Sequence, residues 1–102
     1  MFLLIDRQFK VSLEEPEDFK NFAIVIEAAR EKRPEITRAI SSVGWREEES
    51  SDKGWIYETA LRHMGPQNAS WHTAMDNMIE KARPYGVIDD RKNAIRAHIE
   101  WR

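Results

Sequence analysis

The chain has 102 residues, 41% hydrophobic and 33% charged, with a formal net charge of -2 and a mean hydropathy of -0.68. That length supports one compact core, the apolar fraction argues against wholesale disorder, and the hydropathy argues against burial in a bilayer. With no cysteine there is no disulfide framework, thiolate metal site, redox switch or cysteine nucleophile, so stability rests on packing and hydrogen bonds.

Residues 1–80 carry 10 Lys/Arg against 15 Asp/Glu, whereas residues 81–102 carry 6 against 3, so a basic tail follows an acidic body. That excess is small beside the Lys/Arg stripe of a nucleic-acid face, and it would serve self-association equally well. No apolar run approaches the roughly 20 residues of a membrane span. Met1-Phe2-Leu3-Leu4-Ile5 is broken by Asp6 and Arg7 and lacks the basic start and small-residue cleavage site of a secretory signal. The expectation is a cytoplasmic protein with no membrane partner.

In chain order, residues 1–11 read as a strand, with Leu3, Ile5, Phe9 and Val11 on one side and Asp6, Gln8 and Lys10 on the other. Ser12 with Glu15 forms a capping-box pattern, Pro16 suits a first helical turn, and Glu14, Glu15, Glu17 and Asp18 complement the helix dipole. The spacing of Phe19, Phe22, Ala23, Ile26 and Ala29 then predicts a helix to about Lys32, its stripe widened by Ile24 and Val25. A second helix starts at Pro34, with Ile36, Ala39, Ile40 and Val43 on one face and Gly44 as a left-handed cap.

Between Trp45 and Trp55 the polar stretch from Arg46 to Gly54 predicts a hairpin or exposed loop. Trp55-Ile56-Tyr57 reads as a short strand, followed by a helix through Met64 that Gly65-Pro66 stops. Asn68 or Ser70 caps the next helix, whose Trp71, Met75, Met78, Ile79 and Ala82 form one stripe ending at Pro84. Val87-Ile88 and the alternating residues 94–101 make a C-terminal hairpin, with Ile95, Ala97, Ile99 and Trp101 inward.

These elements predict a single α+β domain spanning residues 1–102. Its sheet is small and antiparallel, made of the N-terminal strand and the C-terminal hairpin and packed with three to four helices. Helix, turn, helix and hairpin from Ile56 to Trp101 also follow the order of a winged helix, an order shared by DNA-binding and protein-binding modules.

No motif in the sequence names an activity. His72, Asp76 and Glu80 stack along one helix face at metal-compatible spacing, but so does any solvated polar face, and a single imidazole with two exposed carboxylates makes an open site. His63 and His98 have no recognisable triad partners, and the four isolated glycines punctuate elements rather than cradle phosphate. No catalytic residue, metal ligand or cofactor is assigned.

The unusual feature is four tryptophans, each with a large apolar body and one N–H to satisfy. Trp71 reads as core. A domain this small has limited interior, so Trp45, Trp55 and Trp101, with Arg91, Lys92, Arg96 and His98 of the basic tail, form the candidate interaction surface. The leading functional expectation is a non-catalytic protein-interaction or accessory module that binds a protein partner or itself, with the last strand as an edge. The alternative is a winged-helix-like nucleic-acid regulator, opposed by a pI near 5.9. The third is a small ligand-binding domain or enzyme with a His-containing pocket.

Overall fold

A computed structural model describes residues 1–48 and 52–102. Seven strands among these residues form one mixed sheet curled into a half-barrel, and three helices pack on its concave face.

The N-terminal segment is a hairpin rather than one strand. Strand β1 (Phe2–Ile5) pairs antiparallel with β2 (Val11–Glu14), and the Asp6 carboxylate makes the turn by accepting the amides of Gln8 at 2.8 Å and Lys10 at 2.9 Å. Both arms keep the alternation read in the sequence, with Leu3 and Ile5 fully buried.

No helix forms over residues 12–32. Glu15 adopts a left-handed backbone (φ 48°) after β2, and the Met1 ammonium fixes the following loop by donating to the carbonyls of Asp18 (2.6 Å) and Asn21 (3.0 Å). The chain then enters β3 (Ala23–Ile26), which runs parallel to β1 on one side and to the last strand on the other. Four consecutive apolar residues, three of them β-branched, suit a central strand buried on both faces better than a helix with one buried stripe. Ile24 and Val25, read as widening that stripe, are this strand's own signal.

Helix α1 (Arg33–Ser41) has Pro34 in its first turn, where the sequence places a helix start, and buries Ile36 and Ile40. Gly44 does not cap it. The residue opens β4 (Gly44–Arg46), where a Cβ would lie 1.8 Å from the carbonyl oxygen of Trp55. Strand β5 (Lys53–Tyr57) pairs antiparallel with β4, placing Trp45 opposite Trp55; part of their polar connection, residues 49–51, lies outside the described residues.

Helix α2 (Glu58–Met64) follows directly. Helix α3 (Ala69–Ala82) is capped by Asn68, which accepts the Trp71 amide at 2.8 Å, and it buries Trp71, Met75 and Ile79. A 3-10 turn (Arg83–Tyr85) and left-handed Gly86 (φ 74°) lead into β6 (Ile88–Asp89) and β7 (Ala94–Trp101).

Strand order is β2-β1-β3-β7-β5-β4, with β6 pairing the start of β7. The fold is therefore dominated by its sheet and is not a hairpin-sized sheet under three or four helices. The first and last strands are not neighbours, because β3 lies between them. Strand β7 is not an edge either: β5 flanks one side, and β6 and β3 flank the other. Sequence order alone suggested a winged helix, but a wing must project, whereas β7 is built into the middle of the sheet.

Ile24, Ile26, Ile56, Ile95 and Ile99 from the sheet meet Ile40, Leu61 and Met75 from the helices in one core. Each fully buried Ile or Leu there stabilises the fold by about 1.5–3 kcal/mol. Trp71 fastens the helical layer to the loop after β2, its indole N–H donating to the Pro16 carbonyl at 2.8 Å.

Candidate interaction surface

The core gathers Ile24, Ile26, Ile56, Ile95 and Ile99 from one face of the sheet together with the helices, and the side chains that alternate with them lie on the other face. Strand pairing sets which residues gather there. Arg96, Trp55 and Trp45 form one row across β7, β5 and β4; His98 and Lys53 are opposite each other in the next.

Trp45 and Trp55 stack with ring centroids 5.8 Å apart and planes inclined by 10°, and Tyr57 tilts against Trp45 at 5.5 Å. Lys92 holds its ammonium 4.6 Å from the Trp45 ring, within cation–π range. The Asp89 carboxylate makes this reach available by accepting the amides of Arg91 and Lys92, both at 3.0 Å, which fixes the turn between β6 and β7. Arg96 pairs with Glu47 at 2.8 Å, and the Lys53 ammonium donates to His98 Nδ1 at 3.5 Å.

Of the residues singled out in the sequence, Trp45, Trp55, Lys92, Arg96 and His98 thus meet on one face, and Arg91 lies exposed in the adjoining turn. Trp101 does not join them. It pairs in register with Ile26, so its ring lies on the concave side, half-buried against the core with the Arg30 guanidinium 4.9 Å and that of Arg46 5.8 Å from its centroid. Sequence reasoning passed over Tyr57, Lys53 and Glu47. A signal for the first two was present, since Lys53, Trp55 and Tyr57 alternate with the small or apolar Gly54 and Ile56.

The three histidines lie apart, His98 on β7 with Lys53, His72 on α3 with Arg62, and His63 on α2 in a groove with Tyr57. Arg62 bonds Glu58 of its own helix α2 at 2.9 Å and reaches across to α3, bonding His72 Nδ1 at 3.0 Å and Asp76. Burial works against the Arg62 charge, but the hydrogen bonds it donates to Glu58 and Asp76 outweigh that and hold the guanidinium above its ordinary pKa. Glu80 is engaged separately by Arg83, which also binds Asp90. His72, Asp76 and Glu80 are therefore distributed between two arginines, and no metal-binding group of three occurs among the described residues.

Among the described residues, no helix is long and apolar enough to cross a membrane. No family model, curated protein or solved structure matches the chain, so a functional reading rests on this geometry and its chemistry.

Proposed function

We propose that the chain is a non-catalytic protein-interaction module that receives an acidic protein surface on the open face of its sheet, centred on Trp45, Trp55 and Tyr57. The observation carrying this reading is the stacked indole pair on the sheet face opposite the core, with Lys53, Lys92 and Arg96 around it. Aromatic rings supply contact area at small conformational cost, and a cationic rim selects the charge of the partner. Having no cysteine, the chain draws nothing from an oxidising compartment, and a cytoplasmic setting belongs to the same proposal.

Aromatic and cationic side chains on a sheet also suit single-stranded nucleic acid, whose bases stack on open rings. Two features favour protein. The Trp45 ring already stacks on Trp55, so a base would have to displace that contact to stack there, and the net charge of -2 offers few phosphate contacts.

The test titrates the protein with a dodecapeptide of alternating Asp and Val and, in parallel, with a (dT) oligonucleotide at the same ionic strength. The reading expects peptide binding that weakens with salt and falls about tenfold in Trp55→Ala and in Lys92→Glu. Tighter binding of the oligonucleotide would assign the face to nucleic acid, and binding of neither at millimolar concentration would remove the proposal.

A further inference from the structure

The outward side of α3 carries a second surface that the first does not explain. Trp71, Met75 and Ile79 face the core, and the flanking stripe of Ala74, Met78, Lys81 and Ala82 borders that face, with Met78 packed partly against the core and Lys81 exposed. With Phe19 and Lys20 from the loop after β2 and Tyr85 from the 3-10 turn, it lines a groove of about 580 Å³.

Three observations set its chemistry. Tyr85 is 82% exposed and is the only large hydrophobic side chain so exposed among the described residues. Its backbone is held on both sides, by Pro84 within the turn and left-handed Gly86 after it, while Arg83 ties the turn to Glu80 and Asp90. Phe19 is held likewise against the buried Trp71, with ring centroids 6.2 Å apart. The groove is therefore preformed, and a partner orders little in seating on it.

The charged residues lining the groove have one sign. Lys20 and Lys81 line it, no carboxylate does, and neither ammonium has an ion-pair partner among the described residues. In a chain of net negative charge, two unpaired lysines flanking an apolar floor complement an anionic amphipathic occupant. A small amphiphile would remain largely in water against a tyrosine this exposed, whereas bound small ligands are mostly enclosed. A helix laid along the groove covers Met78 and Tyr85 together and brings carboxylates to both lysines.

We propose that the Phe19–Met78–Tyr85 groove docks an acidic amphipathic helix of a protein partner, through apolar contacts to Met78 and Tyr85 and ion pairs to Lys20 and Lys81. The groove shares no residue with the aromatic and cationic rows of the sheet face. This inference does not depend on the function proposed for the sheet face.

The test adds an acetylated helical peptide with Leu on one face and Glu on the other to isotope-labelled protein, and maps amide shifts. A Gln-for-Glu counterpart and sodium laurate are run beside it. The expected result is shifts confined to residues 19–20 and 74–86, with the Glu peptide binding at least about tenfold more tightly than the Gln peptide and weakening about tenfold in Tyr85→Ser and in Lys81→Glu. Both positions are exposed, so thermal melts of these variants should match the parent. Equal affinity for the Gln peptide, laurate binding without peptide binding, shifts centred on the sheet face, or no shift at millimolar peptide would each overturn the proposal.

Discussion

Trp45 and Trp55 stand opposite one another in the β4–β5 pairing and stack within 10° of parallel, on the sheet face opposite the core. Their cross-strand contact depends on how closely the two backbones approach, and Gly44, one residue before Trp45, sets that approach. A side chain there would strike the backbone oxygen of Trp55 rather than any movable group.

Gly44→Ala is therefore expected to lower stability by on the order of 3 kcal/mol, at the upper end of overpacking penalties because backbone must move. Gly86→Ala should cost only about 1 kcal/mol, since that position strains a left-handed backbone but has open space around it. Urea denaturation of the two variants checks the contrast. Equal losses would mean that the β4–β5 approach is looser than described.

Trp71→Phe removes an indole N–H that the Pro16 carbonyl accepts and leaves space beside Gly65. The expected loss is about 1–3 kcal/mol, combining a hydrogen bond with a small cavity. Amide exchange should accelerate in the loop of residues 15–22 more than in α1, because Trp71 ties that loop to α3. Uniform acceleration would show instead that the ring acts only as core volume.

Asp18 supplies a pH dependence. The Lys20 amide donates to its carboxylate at 3.1 Å, and this hydrogen bond, opposed by desolvation and aided by Asn21, holds its pKa below the ordinary 3.8. A folded-state pKa below the unfolded value stabilises the fold above about pH 4, and the contribution is lost as pH falls through the folded value. Asp18→Ala should accordingly be less stable than the parent near neutrality, with the difference shrinking toward pH 2. A difference independent of pH would mean the carboxylate charge is irrelevant.

Legibility in the sequence followed the range of the interactions. Pro34, Gly65-Pro66 and the Asn68 cap act within a turn or two, and the helices they delimit are where the sequence puts them. The segment from Ser12 to Lys32 was read from equally local signs, a capping-box pattern and helical spacing, yet β1 and β7 lie on either side of its apolar run and claim it as a central strand. That pairing is non-local, and the segment's only local sign of it is the β-branched run Ile24-Val25-Ile26. The same holds for β7, whose alternation is plain while its place in the middle of the sheet is not.

The candidate surface was partly legible for the same reason. Strand parity puts Arg96 and His98 on the face opposite Ile95, Ala97, Ile99 and Trp101, so Trp101 was separable from the others by counting in twos. What brings Trp45, Trp55 and Lys92 to Arg96 is the β4–β5–β7 register together with the Asp89 turn, and only folding sets that register.

The four indole N–H groups allow the most direct test of the sheet face as the docking surface. Trp45 and Trp55 lie on it, Trp71 is buried beneath α3, and Trp101 lies on the concave side. In an amide correlation spectrum of labelled protein titrated with the alternating Asp-Val peptide, the account predicts that the Trp45 and Trp55 indole signals move together and saturate at one affinity, while those of Trp71 and Trp101 stay in place. Movement of the Trp101 signal with Trp45 and Trp55 unchanged, or no movement of any indole at saturating peptide, would contradict it.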